Sequence, residues 1–194
     1  MKKITTQTFI EQLETDTRQV MVALKRLQQQ DPELLLQQPA PAKWSVAQVI
    51  EHLNTYGRYY LPKIREELCH NNFPASTYFS PGMLGAYFTK SMKPKPDGKI
   101  ANKMKAFKNH SPEPNVDSKT ALDEFDQQEL LLLQLLNKGR DTDLSKIRIP
   151  ISIAPFIRLK LGDVFAFIVA HHQRHFVQIN DTLAAIKSRA YSDV

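Results

Sequence analysis

Apolar residues recur at Phe9, Leu13, Val20, Leu24 and Leu27, the 3.6-residue stripe of an amphipathic helix, and predict a first helix over about 6–29. Asp31-Pro32 and Pro39-Ala40-Pro41 then break the pattern. A second helix opens at Ser45, where Ser45 and Gln48 form a capping box and Trp44 and Val49 a hydrophobic staple. It runs to about Cys69 through Tyr56, Tyr59, Tyr60 and Ile64, with a bend expected at Pro62, which lacks a backbone donor. Leu122, Phe125, Leu130, Leu132, Leu133 and Leu136 mark a third helix over about 118–138, with Gly139 as its stop. The last helix is expected from Gly162-Asp163, with Asp163 capping the first free amides, through Phe167, His171, His175, Gln178, Thr182 and Ile186.

Two long connections separate these helices. Residues 71–116 are rich in Pro, Lys and Asn and read as a loop with one short helix around Met83 to Thr89. Between Arg140 and Leu159, KIRIPISIAPFIRL reads as an extended crossover strap, because Pro150 and Pro155 each restrict the residue before them. Four helices joined this way predict an all-α fold, a four-helix bundle occupying residues 1–194 as one domain.

Composition changes this picture little. Hydrophobic residues are 42% and charged residues 24% of the 194, an ordinary globular balance. A single cysteine, Cys69, excludes an internal disulfide and suggests a cytoplasmic setting. The apolar runs Leu130 to Leu133 and Val164 to Ala170 are too short to span a bilayer, and Thr5, Thr6 and Gln7 stand where a signal peptide would turn apolar. The net charge of +6 is local: Lys90, Lys93, Lys95, Lys99, Lys103, Lys105 and Lys108 face only Asp97. Without a helical stripe or an arginine fork, and broken by Pro94, Pro96 and Gly98, this stretch reads as a solvated loop, and nucleic acid is not an expected partner.

The candidate chemistry lies in three histidines. His171 and His175 are four residues apart, so on a helix they share a face, and Val164, Ile168, His171, His175, Gln178 and Thr182 form one continuous row aimed at the bundle interior. His52 follows about one turn beyond the staple of the second helix. The i,i+4 pair alone is a weak motif, since a core histidine with a hydrogen-bond partner is the commoner occurrence. Two buried imidazoles without partners would cost about 1–3 kcal/mol each, a cost that a shared cation removes. His172 lies about 100° round the helix and reads as a shoulder or surface residue, while His70 and His110 read as exposed. Tyr56 could bring its phenol to the pocket, and Gln178 could orient a ring nitrogen. Glu51 reads as solvent-facing, and Arg174 as a surface charge or a group reaching an acidic substrate. No glycine-rich phosphate loop, GxSxG elbow or HExxH is present.

The segments WSVAQVIEHL and IRIPISIAPFIRLKLGDVFAFIVAHHQRHFVQI together resemble the DinB-like superfamily, including its YfiT-type thiol transferases, over most of the chain. The KPKPDGKIANKMKAF insert resembles one uncharacterised branch. The resemblance implies a four-helix bundle that dimerises and binds a divalent metal through His52, His171 and His175, with Gln178 completing the motif. Imidazole suits zinc, nickel, iron and copper alike; zinc or nickel is expected. Three neutral ligands leave the cation near +2 with an open position. The implied activity is metal-dependent transfer of a low-molecular-weight thiol to a small-molecule electrophile, with hydrolysis or a non-catalytic dimerising bundle as alternatives.

Overall fold

In a computed structural model, residues 3–95, 97–100 and 104–192 are described. Four long helices form the bundle: α1 (Thr6–Leu27), α3 (Val46–His70), α5 (Ser118–Gly139) and α6 (Leu161–Ser192), with a one-turn α2 (Pro32–Leu36) in the first connection. Both α1 and α3 pack against both α5 and α6, giving the cyclic order α1–α5–α3–α6.

Helix direction follows from two apolar clusters at opposite ends of the bundle. One joins Ile10 and Leu13 of α1 to Tyr60 and Ile64 of α3, Leu132 and Leu136 of α5, and Phe165 and Ile168 of α6. The other joins Val20 and Leu24, Val49 and Leu53, Leu122 and Phe125, and Phe176 and Ile179. Thus α1 runs parallel to α6, and α3 parallel to its neighbour α5. Parallel neighbours cannot be joined by a tight turn, so the chain between α3 and α5 must travel back along the bundle. Between the clusters lies a buried polar level, with Thr17 of α1, His52 of α3, Glu129 of α5, and His171, His172 and His175 of α6.

The capping box at Ser45 is formed, with Gln48 N–H donating to Ser45 Oγ and Ser45 N–H to Gln48 Oε1. This fixes the start of α3 about two turns before His52. Pro62 lies inside α3 without ending it.

The connections hold more regular structure than an all-α reading allows. Ile4–Thr5 (β1) pairs antiparallel with Tyr78–Phe79 (β2), and Arg148–Ile151 (β3) with Ala154–Lys160 (β4). The expected strap is therefore a hairpin, with an irregularity at Pro150/Ile151, where proline withholds a ladder donor. The hairpin is tied to α3 by Ser152 N–H donating to Tyr60 Oη at 3.1 Å. The short helix expected at 83–89 extends over Met83–Met92 (α4) and lies along α6.

Asp163 does not cap α6, which starts two residues earlier. Its carboxylate accepts the Gly82 N–H at 3.0–3.1 Å and so anchors the start of α4. A Cβ on Gly85 would stand 2.2 Å from Asp163 Cγ, so a glycine is what lets the two helices approach this closely.

Lys90, Lys93, Lys95, Lys99, Lys105 and Lys108 are exposed, as a solvated stretch requires; Lys103 and Pro96 lie outside the described residues. Among the described residues no helix is long and apolar enough to cross a membrane.

Candidate metal centre

Facing positions on α3 and the antiparallel α6 bring His52, His171 and His175 together. His171 Nε2 is 3.0 Å from His175 Nε2 and 3.3 Å from His52 Nε2, and one nitrogen from each ring falls within 4.8 Å of the others. All three side chains are buried. The ring planes are strongly inclined, at 63–89° to one another, so the three imidazoles point inward rather than stack.

The outer nitrogens of two rings are held. His52 Nδ1–H donates to the His110 carbonyl at 2.6 Å, and His175 Nδ1–H to Gln178 Oε1 at 2.8 Å. Those bonds set the tautomer and leave the Nε2 lone pairs of His52 and His175 facing His171. A single proton on His171 Nε2 could bridge only one of the two contacts. A cation at the common point satisfies all three nitrogens. Tetrahedral coordination at a Zn–N distance of about 2.0–2.1 Å spaces ligand nitrogens about 3.3 Å apart, and cis octahedral coordination about 2.9 Å; the spacing here falls in that range.

Electrostatics favour the ligand form of the rings. Burial, partly opposed by the bond to His110, lowers the His52 pKa to about 4. Burial first, and then neighbouring imidazoles and Arg174, hold His171 and His175 well below the usual histidine range. Taking an imidazolium out of water is the dominant cost, so all three are neutral at pH 7.

Aromatic rings wall the cluster. Trp44 lies 5.1 Å from the His52 ring, Tyr56 4.5 Å from His171, and Phe167 stacks on His171 at 5.7 Å with a 9° interplanar angle. Tyr56 thus packs its ring against the cluster, and burial raises its phenol pKa. Glu51 is half-buried and pairs with Arg58 at 2.7 Å, and His70 is exposed.

Three side chains depart from their expected places. His110 is buried: its ring stacks on Tyr56 at 3.8 Å and its Nδ1 lies 2.9 Å from Thr55 Oγ1. Nothing in the 71–116 pattern signals this, because the contacts come from the returning chain folding over α3. Arg174 is buried as well, not a surface charge. His172 is buried with its Nδ1 3.0 Å from Glu129 Oε1, an approach that lacks the angle of a good hydrogen bond. α6 packs against α1, α3 and α4, so a position 100° from the site-facing row is still inside. A signal for this pair does exist in the sequence. Glu129 continues the row Leu122, Phe125, Glu129, Leu132 and Leu136, and a carboxylate on an apolar stripe calls for a buried partner.

A family model described as the DinB superfamily matches residues 12–179. The fold resembles that of YfiT from Bacillus subtilis, described as a probable metal-dependent hydrolase with an unusual four-helix bundle topology. The TM-score is 0.54 at 16% identity, covering 95% of this chain and 87% of YfiT. No curated protein matches the sequence.

Proposed function

The chain belongs to the DinB superfamily, and from that premise and the convergent imidazoles we propose that it is a metal-dependent enzyme that activates a small nucleophile for attack on a small-molecule electrophile. The observation that carries this is the convergence of three imidazoles, with His171 Nε2 at 3.0 and 3.3 Å from the other two Nε2 atoms and two of the outer nitrogens already engaged. In this reading His52, His171 and His175 hold a divalent cation, with zinc or nickel first. When bound, such a cation lowers the pKa of a coordinated thiol or water so that a nucleophile is available at neutral pH.

The remaining residues position and shield. Gln178 and the His110 carbonyl keep their imidazoles in the ligating tautomer, and metal-bound histidines are commonly oriented by such partners. Trp44, Tyr56 and Phe167 give the site apolar walls; Trp44, Phe167 and Gln178 are only half-buried, which makes their side the approach for a small molecule.

Transfer of a low-molecular-weight thiol is the first reaction. The metal-holding cluster among the described residues consists of three neutral ligands with no carboxylate, and a thiol with an ordinary pKa of about 8.5 needs a far smaller shift than water at about 15.7. Hydrolysis is the second reading, favoured by the description of YfiT.

Elemental analysis of the purified protein beside His171→Ala tests the site: about one equivalent of metal is expected in the wild type and little in the variant. Equal metal in both would overturn the reading. Loss of thiol in the presence of an electrophile, set against ester cleavage without thiol, separates the two reactions.

A further inference from the structure

The long connection between α3 and α5 contributes a backbone atom to the histidine cluster. Its last part, from residue 104 to Asp117, crosses the outside of α3 and forms a 3-10 turn at Lys108–His110. The His110 carbonyl accepts the His52 Nδ1–H at 2.6 Å, a contact between residues 58 apart in sequence. The acceptor comes from the connection and not from a helix of the bundle.

The His110 side chain keeps that carbonyl in place. Thr55 Oγ1 donates its proton to the His52 carbonyl at 2.7 Å, so at 2.9 Å it accepts from His110 Nδ1–H. The ring also stacks on Tyr56 at 3.8 Å and 22°. His110 is 3% exposed, and its Nε2 is buried without a hydrogen-bond partner. Burying an unpaired ring nitrogen is unfavourable by about 1–3 kcal/mol, so Nε2 opposes the ring's placement and the bond from Nδ1 to Thr55 with the stacking on Tyr56 must offset it. What its placement secures is its own backbone carbonyl. Lys105, Phe107, Lys108 and Asn109 before it and Ser111 after it are exposed, and His110 is the one buried residue between 104 and 117.

We propose that His110 is a positioning residue for the metal site: anchored by Thr55 and Tyr56, it holds its own carbonyl on His52 Nδ1 and thereby fixes the ligating tautomer of His52. The inference rests on the three-histidine reading and goes beyond it by making the insert part of the site. Coupling of this kind is reciprocal. If docking of the 104–117 segment strengthens metal binding, metal binding must hold the segment down by the same factor.

The test uses the full chain stripped of metal, with zinc affinity measured by competition against a chromogenic chelator. His110→Ala and Thr55→Val are expected to bind zinc about 10–100-fold more weakly than wild type, while Thr55→Ser, which keeps the hydroxyl, stays near wild type. Circular dichroism confirms that each variant is folded. In the wild type, zinc is expected to slow trypsin cleavage after the exposed Lys105 and Lys108, identified by fragment mass; in Thr55→Val this protection should be reduced. Wild-type zinc affinity in both His110→Ala and Thr55→Val, with cleavage indifferent to zinc, overturns the role of His110 and leaves the metal reading standing. A wild type that takes up no zinc overturns both.

Discussion

The pair formed by Glu129 and His172 gives an asymmetric prediction. Both side chains are almost fully enclosed, at 1% and 6% exposure, and their closest atoms are 3.0 Å apart. Replacing His172 with leucine keeps roughly the same volume but leaves the Glu129 carboxylate in the bundle interior with its nearest polar neighbour gone. Leaving a buried polar group without its partner costs about 1–3 kcal/mol, and more for a carboxylate. Replacing Glu129 with leucine instead leaves only the imidazole without its partner, at about 1–3 kcal/mol. The double leucine variant removes both polar groups, and such apolar replacements are often neutral or stabilising. It is therefore expected to be more stable than His172→Leu alone, so that the second mutation rescues the first. Urea denaturation in excess chelator measures this without interference from metal at the adjacent His171, and unchanged m-values would show that the transitions are comparable. A cost below about 1 kcal/mol for His172→Leu, or a double variant whose loss is the sum of the singles, would refute the reasoning, since independent sites add and coupled ones do not.

Two further outcomes are expected. Gln178→Leu removes the acceptor 2.8 Å from His175 Nδ1 and should weaken zinc binding about 10–100-fold with little change in chelator-treated stability; unchanged affinity in chelator competition would count against it. The metal-free chain should also lose stability in mild acid. The folded-state pKa of His52, about 4, lies below its unfolded value of about 6.5, so between these values the unfolded chain binds more protons and stability falls as pH falls. His52 alone contributes a loss of about 2 kcal/mol by pH 5, and His171 and His175 are shifted in the same direction. Urea midpoints in chelator that stay flat from pH 7 to 5 would contradict this.

Much of the site is a consequence of periodicity. The spacing of His171 and His175 is a property of one helix, and the capping box at Ser45 sets where His52 falls on another, so local rules place these rings before any packing is known. The bundle follows in the same way from four apolar stripes. Glu129 was equally visible, as a charge interrupting the stripe of α5, but its partner was not: His172 is buried because α6 is covered on several sides, and one helix's pattern does not report how many neighbours surround it. The two short sheets are likewise absent from a helix-period reading. Each is only two strands, and β1 and β2 pair residues more than seventy positions apart.

What the sequence alone determined, then, is which residues can share a helix face, because backbone geometry fixes that within a few residues. Which faces meet, and what lies over them, was decided by tertiary structure. The parallel course of α3 and α5 sends the connecting chain back along the bundle, and that return lays His110 on Tyr56 and its carbonyl on His52. Contacts of this kind depend on where a chain of more than forty residues crosses the core. No local propensity encodes that crossing; it is set by the packing of the helices at either end.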